Sequence, residues 1–345
     1  MMSSNTHGRF AQFAAVDNPD LPERFQTYIL DKNPIGEGAV SFCYRARRTD
    51  NQQAVRLKVL RRRLSEHTGI SEILQRQVRY LREFRGEALL PFRGAGQHAG
   101  IQFLEYDLVD GVSLRRVIDE HAPLHPDLVG LIGLGIGEAL TQIHGMRPSP
   151  GLGNLIPLHR NLKPENVLLT PDGRVLLLDI DMLPFCYFAD RQQIELPYTP
   201  QVYESPEQLL KSGYADRRSD IYSLGLIMLE MATAQHPFVG HNIFEARQNI
   251  REGRGVKLES LYPQYRDADT RSCLKDLGEI IGKMTTFAAD KRPATVADLE
   301  GWLAKYFASA GYDERGRTLA DFLRAGTFRV ERTRKKTIID RLFGG

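Results

Sequence analysis

The stretch His159-Arg160-Asn161-Leu162-Lys163-Pro164-Glu165-Asn166 decides the fold of this chain. A short apolar run, Val175-Leu176-Leu177-Leu178, follows it and ends at Asp179-Ile180-Asp181. A short, continuous apolar run that is rich in branched residues is typical of a buried strand. The sequence therefore predicts a polar loop and then a strand, with two carboxylates directly after the strand.

These two segments resemble the catalytic loop and the metal-binding loop of eukaryotic-type Ser/Thr protein kinases. All positions of the catalytic-loop motif match except one, where Asn161 replaces the family's catalytic Asp. The resemblance implies that Lys163 steadies the γ-phosphate of ATP and that Asn166 and Asp179 hold Mg²⁺. An Asn side chain has nearly the shape of Asp but no charge and negligible basicity. The proton acceptor of the reaction is therefore missing.

The segment Ile35–Cys43 resembles the Gly-rich loop of the same family. The resemblance implies that Gly36 and Gly38 let the backbone fold over phosphates without obstruction by side chains. Cys43 stands where the family has a valine in the roof of the nucleotide pocket. Two glycines in a turn also fit a plain hairpin, so this motif gains its weight from the others.

Val55-Arg56-Leu57-Lys58 resembles the Val-Ala-Ile-Lys strand, so Lys58 matches the lysine that contacts the α- and β-phosphates. Alternate side chains of a strand share one face. If Lys58 faces the cleft, Arg56 therefore faces it too. There the guanidinium crowds the adenine and lowers the expected affinity for ATP, unless the long side chain extends outward to solvent. We expect Asp181, which replaces a glycine, to pair with Arg56 or Lys58; a solvated turn acid is the alternative.

The apolar period from Ile70 to Phe84 predicts a helix. Kinases pair their lysine with a Glu on this helix. Gln77 shares the apolar stripe, whereas Glu72 and Glu83 fall on the polar face. We therefore expect Gln77 at the family's Glu position, where its amide cannot neutralise a lysine.

Residues 106–114 resemble the hinge between the kinase lobes, with a generic strand-to-helix turn as the alternative. By this resemblance Tyr106 narrows the back of the pocket, and the backbone of Asp107 and Val109 faces the adenine edge. Leu168 completes the predicted nucleotide-binding set.

Downstream motifs follow in the kinase order. Ser205-Pro206-Glu207 resembles the Ala-Pro-Glu motif, and Asp220 opens a segment like the helix that braces the catalytic loop. Arg292 matches the arginine that pairs with Glu207. The resemblance assigns structural or regulatory roles to these residues, to Gln77 and Asp181, and to His159 and Arg160 of the catalytic loop. No Ser or Thr lies between Asp179 and Tyr198, so we do not expect Ser/Thr phosphorylation in this segment. The resemblance implies that Arg160 binds a phosphorylated residue, and an acidic residue such as Asp190 or Glu195 can take its place.

The resemblance implies an α+β protein with the bilobal protein-kinase fold, a small β-rich lobe and a larger helical lobe. The chain has 345 residues, 42% of them hydrophobic, which is enough for one large domain or for two lobes with their own cores. We expect a flexible leader over residues 1–24, a kinase-like domain over 25–307 divided into lobes at 25–109 and 110–307, and a basic tail over 308–345.

Net charge and cysteine usage indicate the expected compartment and partners of the protein. The net charge is +3, without a specific nucleic-acid signal, and the three cysteines have no metal-ligand spacing. No signal peptide or transmembrane run is visible, so we expect a cytoplasmic protein with protein partners: a kinase, a substrate or an assembly. From Arg315 onward there are nine Arg or Lys and three Asp or Glu. This tail is either a solvated or packed segment, or a docking segment for an acidic partner.

The sequence favours a pseudokinase, a scaffold or allosteric regulator of signalling with ATP and Mg²⁺ as ligands. The alternative is a slow but genuine Ser/Thr protein kinase, since Lys163 and the metal ligands persist. Transfer of a different part of the nucleotide is a third possibility that the altered Gly-rich loop permits.

Overall fold

The computed structural model describes residues 21–84, 86–146, 157–180, 203–209, 215–236, 238, 243–252, 268–309 and 319. It has the α+β bilobal architecture that the sequence predicts, with a strand-rich first lobe and a helical second lobe. A single connection after Asp107 joins the lobes, and a cleft lies between them.

An antiparallel sheet forms the first lobe. Its strands are β1 (Arg24–Phe25), β2 (Tyr28–Leu30), β3 (Gly36–Glu37), β4 (Ser41–Arg48), β5 (Ala54–Leu60), β6 (Phe92–His98) and β7 (Ile101–Asp107). They pair in the order β1-β2-β4-β5-β7-β6, with β3 on β4. The central strand β5 places Lys58 opposite Cys43 and Arg56 opposite Tyr106. This pairing therefore places the predicted nucleotide-binding residues Cys43, Arg56, Lys58 and Tyr106 next to one another on the middle strands of the sheet.

Both faces of this sheet are covered. Aromatic residues such as Phe25, Tyr28 and Phe103 pack on one face. The other face packs on helix α2 (Ile70–Glu83), which follows the short helix α1 (Arg62–Ser65). The buried positions of α2 recur every three or four residues, because one stripe of an amphipathic helix faces the core.

The second lobe is built on helices. They are α3 (Leu114–His121), α4 (Pro126–His144), α5 (Pro206–Leu209), α6 (Arg217–Thr233), α7 (Ile243–Arg251), α8 (Ala268–Met284) and α9 (Val296–Ser309). Helix α6 is central, and all its residues from Ser219 to Thr233 are buried. A small sheet of β8 (Val112–Ser113), β9 (Val167–Leu169) and β10 (Val175–Leu177) lies beside a 3-10 turn at Pro164–Asn166. This sheet and turn carry the predicted catalytic and metal loops.

Two predicted boundaries need correction. Leu21 packs against the aromatic face of the first sheet, and Arg24 opens β1, so the last residues of the predicted leader 1–24 belong to the folded lobe. At the other end α9 runs to Ser309, and Leu319 is helical and buried against the second lobe. Part of the predicted tail 308–345 is therefore packed. In both cases, apolar contacts with residues distant in sequence place the segment on the adjacent lobe.

Strand β6 was not predicted. Its sequence alternates small and polar residues around Gly94 and Gly96 and has no apolar face of its own. A Cβ on Gly96 would lie 2.6 Å from Cζ of Phe103, so the ring on the neighbouring strand fills the space of the missing side chain. The apolar cover of β6 comes from its partner strand.

Among the helices of the described part of the chain, none is both long and apolar enough to cross a bilayer.

Candidate functional site

An open cleft of about 460 Å³ lies between the lobes. The predicted site residues that line it are Gly36, Gly38, Cys43, Arg56, Val109, Lys163, Asn166, Leu168 and Asp179. Lys58 and Tyr106 line a smaller cavity that shares Arg56 and Asp179 with the cleft. Segments far apart in sequence thus bring their polar side chains to one space.

A buried ion pair closes the inner end of the cleft. Nζ of Lys58 lies 2.6 Å from Oδ1 of Asp179, and the side chains are 4% and 17% exposed. Burial alone would raise the pKa of Asp179, but the charge and hydrogen bond of Lys58 hold it below its ordinary value. The charges of Arg56 and Lys163 act in the same direction. The carboxylate therefore stays ionised beside a cation.

Two residues of the site have left-handed backbone conformations. Arg160 has a φ of 60° and Asp179 a φ of 69°. Such conformations cost about 1–3 kcal/mol each in non-glycine residues and persist only where the surroundings hold them. The N–H of Arg160 donates to Oδ1 of Asp220 at 2.8 Å, and Lys58 holds the side chain of Asp179. Backbone strain thus coincides with the predicted catalytic and metal loops.

Asp220 braces the catalytic loop from helix α6. Its Oδ2 accepts hydrogen bonds from the N–H of His159 at 2.9 Å and from Nε2 of His144 at 2.8 Å, while Oδ1 binds Arg160. Burial raises the pKa of Asp220, but the hydrogen bond and charge of His144 outweigh it, and the pKa is lowered. A buried carboxylate thus fixes two consecutive peptide groups, as the sequence predicts for this position.

Asn161 sits in this braced loop, where the family has its catalytic Asp. It is half-buried, and its carbonyl oxygen accepts a hydrogen bond from Nδ2 of Asn166 at 2.8 Å. Its N–H donates to Nδ1 of His159 at 3.3 Å. Burial lowers the pKa of His159, which is fully enclosed. The loop backbone is therefore ordered around a neutral amide side chain.

Asn166 and Asp179 fit a magnesium ion. Both line the cleft, and both offer the hard oxygen atoms that Mg²⁺ prefers. Nδ2 of Asn166 is engaged with the loop backbone, so Oδ1 is its atom for a metal. Among the described residues no cluster of three or more His, Cys, Asp or Glu could hold a metal. Phosphates and water would complete the coordination, as is usual for Mg²⁺, and a bound ion would neutralise phosphate charge.

Gln77 lies on the buried face of α2 and is 4% exposed. Neither carboxylate of this fully described helix pairs with Lys58, since Glu72 and Glu83 are both exposed and Glu72 binds Arg76. Gln77 has no hydrogen bond to Lys58 either, although an amide at this position could form one. The ammonium of Lys58 binds Asp179 instead. Helix α2 is thus held inward by apolar packing, without an ion pair to the lysine.

Arg56 is half-buried at the mouth of the pocket. Its Nη2 donates to Sγ of Cys43 at 3.3 Å, which ties the arginine to the neighbouring strand in the roof. Tyr106, directly opposite Arg56 on β7, is buried, and its ring centroid lies 5.9 Å from Nζ of Lys58. The guanidinium therefore occupies the roof region where the sequence predicts crowding of the base.

Two hinge residues differ in their surroundings. Val109 lines the cleft. The carboxylate of Asp107 accepts two hydrogen bonds of 2.6 Å from Arg93, and its N–H donates to the carbonyl of Pro91. The side chain of Asp107 is therefore committed to the adjoining strand β6, and only its backbone could serve the pocket.

Glu207 and Arg292 form the ion pair that the sequence predicts. The contacts are bidentate, at 2.9 and 3.0 Å, and the arginine side chain is fully buried. Arg292 also donates to the carbonyls of Thr286 and Phe287. Burial raises the pKa of Glu207, but the hydrogen bonds from Arg292 and Ser219 lower it below its ordinary value. This pair connects α5 to the segment between α8 and α9.

Sequence analysis missed two arginines beside the cleft. Arg115 lines the cleft, and its Nη1 lies 2.8 Å from Oε1 of Glu230, whose Oε2 accepts a hydrogen bond from Tyr203 at 2.5 Å. Arg61 binds the Gly-rich turn through several hydrogen bonds. Neither carries a local signal, since Arg61 opens an ordinary basic run and Arg115 lies in one.

Several predicted residues lie outside the described part of the chain. They include Asp181, with its expected pairing to Arg56 or Lys58, and both candidate partners of Arg160, namely Asp190 and Glu195.

The sequence of residues 29–301 matches the protein kinase domain family. The chain therefore belongs to this family. The match covers both lobes and every motif described above.

The proteins to which the chain is similar include bacterial Ser/Thr kinases. The chain is 28% identical to a probable serine/threonine-protein kinase of Clostridium perfringens, in an alignment that covers 74% of this chain. It is 30% identical to PknL of Mycobacterium tuberculosis, in an alignment that covers 60% of this chain. It is 29% identical to AfsK of Streptomyces coelicolor over 82%. The matched regions span 38%, 49% and 32% of those proteins, so the chain corresponds to less than half of each relative.

Proposed function

We propose that this protein is a pseudokinase that binds Mg–ATP and acts as a scaffold or allosteric regulator of a signalling partner, with weak or absent phosphoryl transfer. One observation carries the proposal: Asn161 occupies the position of the catalytic base in a loop whose backbone is otherwise braced by Asp220. A neutral amide cannot accept the proton of a substrate hydroxyl. Loss of a positioned general base costs about 10²–10⁴ in rate.

The cleft supports nucleotide binding. Lys163, Asn166 and Asp179 line one cleft of about 460 Å³, and the glycines of the Gly-rich turn line the same cleft from the first lobe. These are the groups through which kinases handle phosphates and metal. Arg56 narrows the adenine end, so we propose an affinity below that of an ordinary kinase.

The Lys58–Asp179 pair supports a regulatory role. A metal ion bound with the nucleotide would compete with the ammonium for the same carboxylate, whose Oδ1 is 2.6 Å from Nζ of Lys58. Helix α2 offers Lys58 no alternative carboxylate. Ligand binding thus changes the partners of two buried charges at the lobe interface, and a ligand can shift a conformational equilibrium through such differential contacts. We propose that a protein partner binds the two resulting conformations with different affinity.

Phosphoryl transfer distinguishes this proposal from an ordinary enzyme. Wild-type protein, Asn161→Asp and Asp179→Ala are incubated with radiolabelled ATP, Mg²⁺ and a Ser/Thr peptide library. We expect the wild type to match Asp179→Ala, and Asn161→Asp to exceed both or to remain equally inactive. Equal, rapid transfer by the wild type and Asn161→Asp would overturn the proposal.

Nucleotide binding is tested separately by thermal unfolding with ATP, with and without Mg²⁺. A ligand at a hundredfold excess over its Kd adds about 2.7 kcal/mol to the free energy of unfolding. We expect ATP to raise the unfolding temperature and Asp179→Ala to abolish the additional effect of Mg²⁺. An unchanged unfolding temperature at millimolar ATP would remove nucleotide from the proposed function and leave a scaffold.

A slow but genuine Ser/Thr kinase is the second candidate function. Lys163, Asn166 and Asp179 favour it, because they share one cleft and phosphoryl transfer depends mainly on positioning and electrostatics. The relatives named as Ser/Thr kinases also support it. Wild-type transfer that is weaker than that of Asn161→Asp but clearly above that of Asp179→Ala would select this function.

A further inference from the structure

Arg61 binds three consecutive residues of the Gly-rich turn with one buried guanidinium. Its Nη2 donates to Oε1 of Glu37 at 2.7 Å and to the carbonyl of Gly38 at 2.9 Å. Its Nε donates to the carbonyl of Ala39 at 2.9 Å. The arginine is 1% exposed, whereas the Glu37 side chain is 45% exposed, so the guanidinium is buried under the turn and only its carboxylate partner reaches solvent.

The arginine is itself held in place. Its guanidinium carbon lies 4.4 Å from the ring centroid of Phe42, and its backbone N–H donates to the carbonyl of Val40 at 2.9 Å. Side chain and backbone together contact every residue from 37 to 40. The planar fork of an arginine can serve several acceptors at fixed angles, whereas a lysine is a point charge on a flexible stem.

This contact sets the direction of two peptide groups. In a trans peptide the carbonyl and the following N–H point in opposite directions. Since the carbonyls of Gly38 and Ala39 turn toward Arg61, the N–H groups of Ala39 and Val40 turn away from it. Gly38 lines the cleft, and a Cβ on it would lie 3.9 Å from Oδ2 of Asp179. Successive backbone N–H groups of this kind form an anion-binding concavity.

We propose that Arg61 is a positioning residue, which fixes the Gly-rich turn so that the amides of Ala39 and Val40 face the phosphates of a nucleoside di- or triphosphate. The inference rests on the proposed nucleotide binding and assigns Arg61 to the phosphate-dependent part of it. The affinity for a nucleoside without phosphates does not depend on Arg61.

The test separates nucleoside from nucleotide affinity. Binding of adenosine and of ADP with Mg²⁺ is measured by calorimetry for the wild type, Arg61→Met and Arg61→Lys. Arg62→Met is the matched control, because Arg62 is exposed and pairs only with Glu66 among the described contacts, at 3.3 Å. We expect Arg61→Met to weaken ADP binding about tenfold or more while adenosine binding stays within about twofold. The ADP affinity of Arg61→Lys should lie between those of the wild type and Arg61→Met, and the ADP affinity of Arg62→Met should match that of the wild type.

Hydrogen exchange of the amides of residues 37–41 tests the same contact without a ligand. We expect faster exchange in Arg61→Met, and in Arg61→Lys if the methionine variant does not fold, with no change in Arg62→Met. Equal loss of adenosine and ADP affinity, no loss of either, or unchanged exchange would each overturn the role of Arg61. A wild type that binds neither ligand would instead remove nucleotide binding from the proposed function, and hydrogen exchange alone would then decide whether Arg61 holds the turn.

Discussion

Lys58 and Asp179 form an ion pair of 2.6 Å across the lobe interface, while helix α2 presents Gln77 on its buried face. A candidate metal ligand thus contributes to the charge compensation of the lysine. This relationship links the stability of the ligand-free protein to the same carboxylate that a metal ion would use.

The first prediction concerns this pair. Removing one partner of a buried ion pair typically costs about 3–5 kcal/mol. We expect Lys58→Met and Asp179→Asn each to lower the free energy of unfolding by such an amount in urea titrations. The double variant should lose less than the sum, by about 1 kcal/mol or more. Strict additivity of the two losses would contradict a direct pair.

The second prediction restores a carboxylate on α2. Gln77→Glu places an acid on the buried face, where Lys58 can bind it and release Asp179 for the metal. We expect the Mg²⁺ dependence of the ATP affinity to increase about tenfold. Gln75→Glu is the matched control, because Gln75 lies on the exposed face of the same helix and should change nothing. A destabilised Gln77→Glu with unchanged Mg²⁺ dependence would show that residue 77 cannot reach Lys58.

The third prediction follows from the lowered pKa of Glu207. A carboxylate whose pKa is lower in the folded state adds stability that is complete above its ordinary value of 4.5 and is lost as the pH falls below that value. We expect the stability difference between the wild type and Glu207→Gln to be constant above that pH and to shrink from there to about pH 3.

Chemical denaturation across this range measures the difference. Glu87→Gln, at an exposed position, is the control and should show a flat difference. A difference for Glu207→Gln that grows on acidification would contradict the direction of the pKa shift, since the bidentate contact with Arg292 stabilises the ionised form.

The fourth prediction uses the two glycines of β6. A Cβ on Gly96 would lie 2.6 Å from Cζ of Phe103, whose ring is held by Phe25 at 5.3 Å and Tyr28 at 5.6 Å. Overpacking of this kind costs about 1–3 kcal/mol. We expect Gly96→Ala to lower the unfolding temperature, whereas Gly94→Ala should have a small effect, because the nearest atom to its Cβ is 4.0 Å away. Equal effects of the two substitutions would reject this packing.

The motif sequence was sufficient for the fold, and several of the candidate residues that it named line one cleft, but it did not indicate Arg61 or Arg115. A catalytic loop, a lysine strand and a Glu207–Arg292 pair occur in one order, and each needs a specific residue type at a specific spacing. The position of Gln77 was also readable, because helical periodicity assigns residues to a face from sequence alone. The neutral side chain at Asn161, on which the proposed function rests, is a fact of the sequence.

Only the tertiary structure decided which charges meet. Asp179, which pairs with Lys58, is 121 positions away in sequence, and Arg61 reaches the Gly-rich turn although it lies 24 positions after Glu37. Strand β6 has no apolar pattern of its own, because the ring of Phe103 on the next strand supplies its packing. Local patterns report which face of an element is buried, whereas ion pairs and close contacts depend on register and on the approach of distant segments.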